Sequence, residues 1–166
     1  MGRRIVIAVD EGEESLHALT WCLKNVILPS ASAQESSSGG DEGDVLVLVY
    51  ARPPRLYYPA MDGTGYIFST DIITSMENYA NELAKSVIAK AEMVCAEYPN
   101  VKVETKVKDG DPRDVICDMV DKLGADMLVV GSHGYGPIKR AFLGSVSSHC
   151  AQNVKCPVLI VKRPKS

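Results

Sequence analysis

The chain has 166 residues, of which 46% are hydrophobic and 23% charged, a composition typical of one globular domain spanning residues 1–166. A net charge of −3 and a pI near 5.6 argue against binding to nucleic acid through a basic face. No apolar run approaches the roughly 20 residues that a membrane-spanning helix needs. We therefore expect a protein without a membrane span or a nucleic-acid partner.

Five cysteines occur at wide and irregular spacing. An odd count of this kind favours reduced thiols in the cytoplasm, with the nucleus as the alternative compartment. We expect all five to be small core residues rather than zinc ligands. A strand that begins almost at residue 1 also leaves no room for a signal peptide in this sequence.

The first half of the chain predicts two buried strands separated by a helix. Residues 4–9 form a Val/Ile-rich run, residues 15–25 carry apolar residues at helix spacing, and residues 44–50 form a second apolar run. The Ser/Gly/acid-rich stretch 30–43 and the Pro/Tyr/Gly-rich stretch 52–69 predict surface loops.

The second half continues this alternation of helices and strands. Asp111-Pro112 is a typical helix start and Gly124 a typical helix end. The predicted elements are a helix over 70–98, an edge strand over 101–107, a helix from Asp111-Pro112 to Leu123, a strand over 126–130, a helix over 145–153 and a strand over 157–161.

Two features indicate core positions. Apolar residues recur along 70–98 at helix spacing, among them Ile73, Met76, Tyr79 and Val94. We expect this stripe, together with the single tryptophan, Trp21, to pack into the core.

The order of the elements predicts an α/β fold. Alternating strands and helices with right-handed crossovers give a five-stranded parallel sheet, order 3-2-1-4-5, with helices on both faces, as in Rossmann-like proteins. Ligands of such sheets bind where the strand order reverses, beyond the carboxyl ends of the strands. Asp10 ends the first strand and Gly131 begins the loop after the fourth, so both should face one crevice.

The loop from Gly131 to Ser147 has the composition of a phosphate-binding segment. Its glycines allow backbone N–H groups to approach a ligand, and the helix that follows offers unpaired donors and a partial positive charge. Walker A is excluded, because no Gly-Lys pair occurs. The dinucleotide fingerprint is also excluded, because the glycine spacing differs and the loop follows the fourth strand.

The spacing of this loop resembles the ATP-binding signature of the universal stress protein family. Gly131-x2-Gly134 is followed by nine residues and then by Gly144-Ser145. The Val-Asp end of the first strand and the Cys-Pro-Val-Leu-Ile-Val end of the chain are also similar to this family, and the Tyr/Pro loop resembles plant members. The resemblance covers essentially the whole chain and implies a fold of the adenine nucleotide alpha hydrolase type.

The resemblance also implies a set of nucleotide-binding residues. Asp10 should accept hydrogen bonds from ribose hydroxyls, the end of the second strand should recognise adenine, and the glycine loop should hold the phosphates. The implied residues are Ala8, Val9, Asp10, Val49, Tyr50, Val130, Gly131, Ser132, His133, Gly134, Lys139, Arg140, Gly144, Ser145, Val146 and Ser147. Gly131 should lie against the ribose.

Several of these residues have a second interpretation. Asp10 could serve as a turn acid, although its place at a strand end favours ligand contact. His133 is expected to orient the loop or to face solvent rather than to act as a general base. Lys139 and Arg140 could equally clamp a terminal phosphate or be solvated loop charges.

The function implied is that of a stress-response regulator that holds ATP, or its products AMP and ADP, with Mg²⁺ bridging the phosphates of bound ATP. Slow ATP hydrolysis, and a dimeric interaction module with a structural nucleotide, are the alternatives; we expect no catalytic residue and no dedicated metal ligand. The resemblance further implies a homodimer formed through the strand Val158 to Val161, whose apolar edge would otherwise lack a partner.

Overall fold

The computed structural model describes residues 2–27, 43–52, 70–133 and 144–164. Its elements in chain order are β1 (Arg4–Ala8), α1 (Glu13–Cys22), a π-helical turn (Leu23–Ile27), β2 (Val45–Arg52), α2 (Thr70–Ala96), β3 (Lys102–Asp109), α3 (Pro112–Leu123), β4 (Met127–Gly131), α4 (Ser145–Asn153) and β5 (Val158–Val161). The predicted loops over 30–43 and 52–69 lie, except for Gly43 and Arg52, outside the described residues.

All five strands form one parallel sheet in the order β3-β2-β1-β4-β5. The central strand β1 pairs with β2 on one side and with β4 on the other; Ile5, for example, lies opposite both Leu46 and Met127. This confirms the predicted order. It also places the reversal of strand order between β1 and β4.

Side chains of β1 alternate between two hydrophobic cores, because successive residues of a strand point to opposite faces. Ile5 and Ile7 pack with α1 and α2, whereas Val6 packs on the opposite face with α3 and α4. All three are fully buried. A strand covered on both faces must be apolar at every position, which is why this run showed no period-two alternation.

Helix α3 begins and ends as its sequence predicts. The Asp111 carboxylate accepts a hydrogen bond from the Arg113 N–H at 2.9 Å, and Pro112 occupies the first helical position. Gly124 ends the helix in the left-handed conformation, with φ at 58°.

Most elements differ from their predicted bounds by one to three residues, and the start of α1 and the end of β2 have a clear physical cause. Helix α1 starts at Glu13, two residues early, because the acidic first turn, Glu13 and Glu14, suits the positive end of a helix. Strand β2 continues to Arg52, two residues late. The carbonyl of Arg52 accepts a hydrogen bond from Gly110 N–H at 2.9 Å, and its guanidinium pairs with Asp109 at the end of β3.

The predicted core stripe of α2 is buried over only part of its length. Val87 and Ala91 are buried, whereas Met76 is 53% and Tyr79 71% exposed. At ~1.5 Å per residue α2 is roughly 40 Å long, against about 26 Å for the neighbouring β2, so its first turns extend past the carboxyl ends of the strands. The prediction of a buried Trp21 is also wrong: it is 37% exposed.

The five cysteines are free thiols, but they are not equally buried. Cys22, Cys95 and Cys150 lie in the core as expected, whereas Cys117 and Cys156 are only half-buried. These two lie at the margin of the core that packs between the sheet and helices α3 and α4. The expectation of five core thiols is therefore correct for three.

Arg3 links the first two strands through the Asp44 carboxylate. Arg3 N–H donates to Asp44 Oδ1 at 2.9 Å, its guanidinium pairs with the same group, and it also donates to the Val26 carbonyl. Burial alone would raise the pKa of Asp44, but the hydrogen bonds from Arg3 outweigh it and hold that pKa below its ordinary value.

We predict that Asp44→Asn lowers the free energy of unfolding by about 1–2 kcal/mol at pH 7, because it removes a charge-assisted pair. A carboxyl group whose pKa is depressed by folding stabilises above its unfolded pKa and loses that contribution as pH falls through the folded pKa. The difference in stability between the variant and the natural protein should therefore begin to narrow near pH 4 and close as the pH falls through the lowered pKa of Asp44. Urea denaturation across pH measures this, and a gap that persists at low pH would contradict it.

Candidate functional site

A cavity of about 600 Å³ opens at the carboxyl ends of β1, β2 and β4. Its volume lies within the ~300–1,000 Å³ range of small-molecule sites. The described residues that line it are Ala8, Val9, Asp10, Glu11, Ser15, Val49, Tyr50, Ala51, Tyr79, Leu83, Pro112, Ile116, Val130, Gly131, His133, Ser145, Val146 and Ser147. The crevice predicted from the strand order is therefore present, with Asp10 and Gly131 both on its wall.

Most of the predicted nucleotide-binding residues meet in this cavity. Those that line it are Ala8, Val9, Asp10, Val49, Tyr50, Val130, Gly131, His133, Ser145, Val146 and Ser147. Ser132 and Gly144 lie next to it but are not among the lining residues. Gly134, Lys139 and Arg140 lie outside the described residues, so their predicted roles stay predictions.

Helix α4 presents its N-terminus to the cavity. Ser145, the first helical residue, is exposed, and the first hydrogen bond within the helix runs from Ser148 N–H to the Gly144 carbonyl at 3.0 Å. The N–H groups of Ser145, Val146 and Ser147 therefore have no carbonyl partner inside the helix. Together with the helix dipole, they form a site suited to an anion.

Gly144 and Ser147, two of the residues predicted to contact phosphate, also hold the start of α4 in place. The Ser132 carbonyl accepts hydrogen bonds from Gly144 N–H at 2.7 Å and from the Ser147 hydroxyl at 3.1 Å. The same hydroxyl lies 3.0 Å from the Gly144 carbonyl. Its one proton is thus directed to the backbone, and a phosphate contact by Ser147 would use the N–H group.

Gly131 is favoured by close packing and also lines the cavity. A Cβ atom at this position would lie 3.1 Å from the Glu14 carbonyl oxygen and 3.2 Å from the Glu14 carbonyl carbon. The missing side chain lets the end of β4 approach the first turn of α1. Glycine at this position therefore sets the spacing between β4 and α1, in addition to its predicted place beside a ribose.

Asp10 is positioned by the turn that leads into α1. Its Oδ1 accepts a hydrogen bond from Gly12 N–H at 2.8 Å, and its own N–H donates to Ser15 Oγ at 3.1 Å. The two interpretations of Asp10 are therefore compatible, because the residue is both a turn acid and part of the cavity wall. The turn holds the carboxylate at the end of the central strand.

Glu11 and Tyr50 form a polar pair that sequence reasoning missed. The Tyr50 hydroxyl donates to Glu11 Oε1 at 2.8 Å, although Tyr50 as a whole is only 2% exposed. Burial raises the pKa of Tyr50 well above its ordinary value, and the Glu11 carboxylate raises it further. The phenol thus stays protonated at neutral pH and donates to Glu11. Only the adjacency of Glu11 to Asp10 could have suggested it from the sequence.

Ala51 is a second residue that the sequence did not single out. The Val49 carbonyl accepts a hydrogen bond from Val9 N–H at 2.9 Å, so the peptide of Val49 faces β1. Backbone groups alternate in direction along a strand, hence those of Ala51 face the same side as those of Val49. Because the pairing of β1 with β2 ends at Ala8 and Val49, the backbone groups of Ala51 lie beyond the paired part of β1, and Ala51 lines the cavity.

Helices α2 and α3 complete the walls. Tyr79 and Leu83 come from the part of α2 that extends beyond the sheet, and Pro112 and Ile116 come from the first turns of α3. These contacts depend on how the helices cross the sheet, so no local sequence pattern could have indicated them. They give the cavity apolar surfaces on both sides of the strand ends.

The three helix N-termini at the cavity differ in charge. The first turn of α1 carries Glu13 and Glu14, and that of α3 carries Asp114 behind the capping Asp111. The first turn of α4 carries no acid. Of these three ends, α4 therefore offers the most favourable position for a negatively charged group.

Comparison with known proteins identifies the family. The sequence profile of the universal stress protein family matches residues 1–162. This chain belongs to the universal stress protein family. A universal stress protein A-like protein of Arabidopsis thaliana is 34% identical over 114 residues, which is 65% of each chain. Universal stress protein YxiE of Bacillus subtilis is 32% identical, with 98% of this chain and all of the relative aligned.

Length differs among these relatives. The chain spans 65% of the length of the Arabidopsis A-like protein and 65% of that of the Arabidopsis universal stress protein PHOS32, to which it is 29% identical. What those two proteins do as a whole therefore does not transfer to this chain.

Solved structures of universal stress proteins share the fold. UspA of Lactobacillus plantarum superposes with a TM-score of 0.70 at 18% identity, covering 96% of this chain and 97% of that one. A family protein from Arabidopsis thaliana with AMP bound superposes with a TM-score of 0.63 at 23% identity, covering 98% and 92%. These neighbours support the α/β architecture of this universal stress protein.

The described residues contain neither a cluster of metal ligands nor a membrane-spanning helix. No three His, Cys, Asp or Glu side chains among them converge as metal ligands. Within the same ranges, no helix has the length and apolarity needed to cross a bilayer.

We predict that substitutions at Gly131 destabilise the protein in proportion to side-chain size. Gly131→Ala should cost about 1–3 kcal/mol, because β4 and α1 must separate, and Gly131→Val should cost more. At Gly124 nothing lies within 4 Å of an added Cβ and φ is 58°. Substitution there should cost about 1 kcal/mol for alanine and little more for leucine. Urea denaturation compares the two series; equal size dependence at both glycines would contradict the packing role of Gly131.

Proposed function

We propose that this universal stress protein holds an adenine nucleotide in the cavity at the strand ends and acts as a stress-response regulator. The observation that carries the proposal is the acid-free N-terminus of α4, which faces the same cavity as the carboxylate of Asp10. Solved structures with the same fold are described with AMP, cAMP or dAMP bound. Their ligands favour the adenine class for this chain.

The order of the strand ends suggests how the nucleotide lies. Phosphates would bind the free N–H groups of α4, beside β4, and ribose hydroxyls would donate to Asp10 at the end of β1. The base would lie beyond β1, near the end of β2. There Ala51 directs an N–H donor and a carbonyl acceptor into the cavity, a pairing suited to the ring nitrogen and amino group of adenine.

Apolar residues would enclose the base and sugar. Ala8, Val9 and Val130 come from the strand ends, Val146 from α4, and Ile116 from α3. Burial of the base against such surfaces contributes favourably through the hydrophobic effect. The family resemblance implies that Val49 and Tyr50 contact the adenine base. In this arrangement the next residue, Ala51, would make part of that contact.

We propose ATP as one occupant, with AMP and ADP as its products or alternatives. Mg²⁺ would be carried by the phosphates of bound ATP, since the described residues offer no cluster of three metal ligands. The slow-hydrolysis alternative stays a prediction, because nothing in the described residues favours it over binding. Nucleotide occupancy would act by stabilising the folded form or by altering a partner surface.

The compartment proposed is the cytoplasm, with the nucleus as the alternative. All five cysteines are free thiols, which suits a reducing compartment.

Homodimer formation through β5 is the second part of this proposal. Strand β5 is the last strand on its side of the sheet, and Val158, Leu159 and Ile160 are only half-buried.

Sedimentation tests the dimer. We predict a particle of twice the chain mass of 18.0 kDa at micromolar concentration, because pairing of two β5 edges satisfies backbone groups that otherwise face water. A species of 18.0 kDa across that range would contradict the dimer and leave the nucleotide proposal intact.

Charge reversal at the start of α4 tests the nucleotide proposal. Ser145→Asp adds an acid to a helix first turn, which suits the helix dipole and should preserve stability. The same carboxylate would repel a phosphate, so AMP affinity should fall at least ~100-fold. Ser145→Ala is the matched control, and it should bind within about tenfold of the natural protein if the N–H groups provide most of the contact.

Isothermal titration calorimetry with AMP, ADP and ATP measures these affinities. Circular dichroism confirms that the variants fold. Unchanged AMP binding by Ser145→Asp would remove α4 as the phosphate site, and a natural protein that binds none of the three nucleotides would refute the proposed function.

A further inference from the structure

The pair formed by Glu11 and Tyr50 places a fixed negative charge on the cavity wall. Glu11 lines the cavity, and its Oε1 accepts a hydrogen bond of 2.8 Å from the buried Tyr50 hydroxyl. An exposed glutamate usually samples several rotamers and is screened by water. Here the hydrogen bond from a rigid core residue holds the carboxylate in one position.

The location of this charge follows from the strand order. Asp10 and Glu11 leave the end of β1, and Tyr50 belongs to β2, on the side of β1 away from β4. The bond to Tyr50 therefore draws Glu11 toward β2. The anion-binding N-terminus of α4 follows β4, so the cavity has one end suited to a negative group, and both carboxylates lie on the side away from it, from the end of β1 toward β2.

We propose that Glu11 is a specificity-determining residue, which makes the site reject adenine nucleotides that carry a phosphate monoester at the 2′ or 3′ position of the ribose. This inference rests on the proposed function, because it uses the placement of phosphates at α4 and of ribose at Asp10. It names a class of compound that the site excludes, adenine nucleotides with a second phosphate monoester on the ribose.

The discrimination has a simple electrostatic cause. Free hydroxyls can donate hydrogen bonds to the carboxylates of Asp10 and Glu11. A phosphate ester at the same position has no such donor and carries a charge of roughly −1.5 to −2. It would meet two like charges, one of which Tyr50 restrains by a hydrogen bond. Repulsion over a few ångströms in a partly desolvated cavity corresponds to roughly a tenfold or larger loss of affinity.

Calorimetric titrations with AMP and with adenosine 2′,5′- and 3′,5′-bisphosphate test this directly. All three keep the 5′-phosphate, so the phosphate site at α4 is common to them. We expect AMP to bind at least about tenfold more tightly than either bisphosphate. Glu11→Gln, which keeps the size of the side chain and removes its charge, should narrow that ratio at least threefold.

Glu13→Gln is the matched control. Glu13 lies two residues further along, pairs with Arg163 at 2.7 Å and is not among the lining residues. It removes the same charge from the same segment and should leave the ratio unchanged. Tyr50→Phe tests the anchor: it removes only the hydroxyl that holds Glu11, so the ratio should narrow by less than in Glu11→Gln.

The outcomes separate this inference from the proposed function. Equal affinity for AMP and the bisphosphates in the natural protein overturns the inference and leaves nucleotide binding standing. A ratio that Glu11→Gln does not change, or that Glu13→Gln narrows equally, also overturns the role of Glu11. A folded natural protein that binds none of the three compounds refutes the proposed function, and the inference with it.

Discussion

The site exists because β1 lies between β2 and β4. Chain connections leave the sheet in opposite directions on the two sides of β1, and this opens a crevice beyond its carboxyl end. Each strand end then supplies a different chemistry. The end of β2 offers backbone groups, the end of β1 offers carboxylates, and the end of β4 leads toward a helix N-terminus. A different strand order would scatter the same residues over the surface.

Charge is distributed along this crevice in a way that ordinary helix stability does not require. Acids in a first turn are generally favourable, and both α1 and α3 have them. The absence of an acid from the first turn of α4 leaves its N–H groups available. The cavity therefore has a positive end, where the first turn of α4 lacks an acid, and a negative region, where Asp10 and Glu11 place their carboxylates.

Several residues combine a structural role with a place on the cavity wall. Gly131 lets β4 approach α1, Asp10 closes the turn before α1, and Ser147 ties α4 to the Ser132 carbonyl. Substitution of such residues changes stability and the shape of the site together. For that reason, variants that alter only charge, on side chains not buried in the core, separate binding from folding most cleanly.

Sequence by itself determined the strand order and the α-helices and strands of the described ranges, and its resemblance to the family implied eleven of the residues that line the cavity. Apolar runs, caps and glycine spacing are local signals, and handed crossovers convert their order into a topology. The contributions of Tyr79 and Leu83, the exposure of Met76, and the bond between Tyr50 and Glu11 were decided only by the tertiary structure. The first two depend on the length of α2 relative to the sheet, and the third depends on a contact between side chains 39 residues apart in the chain. A local sequence pattern specifies neither the relative length nor the contact.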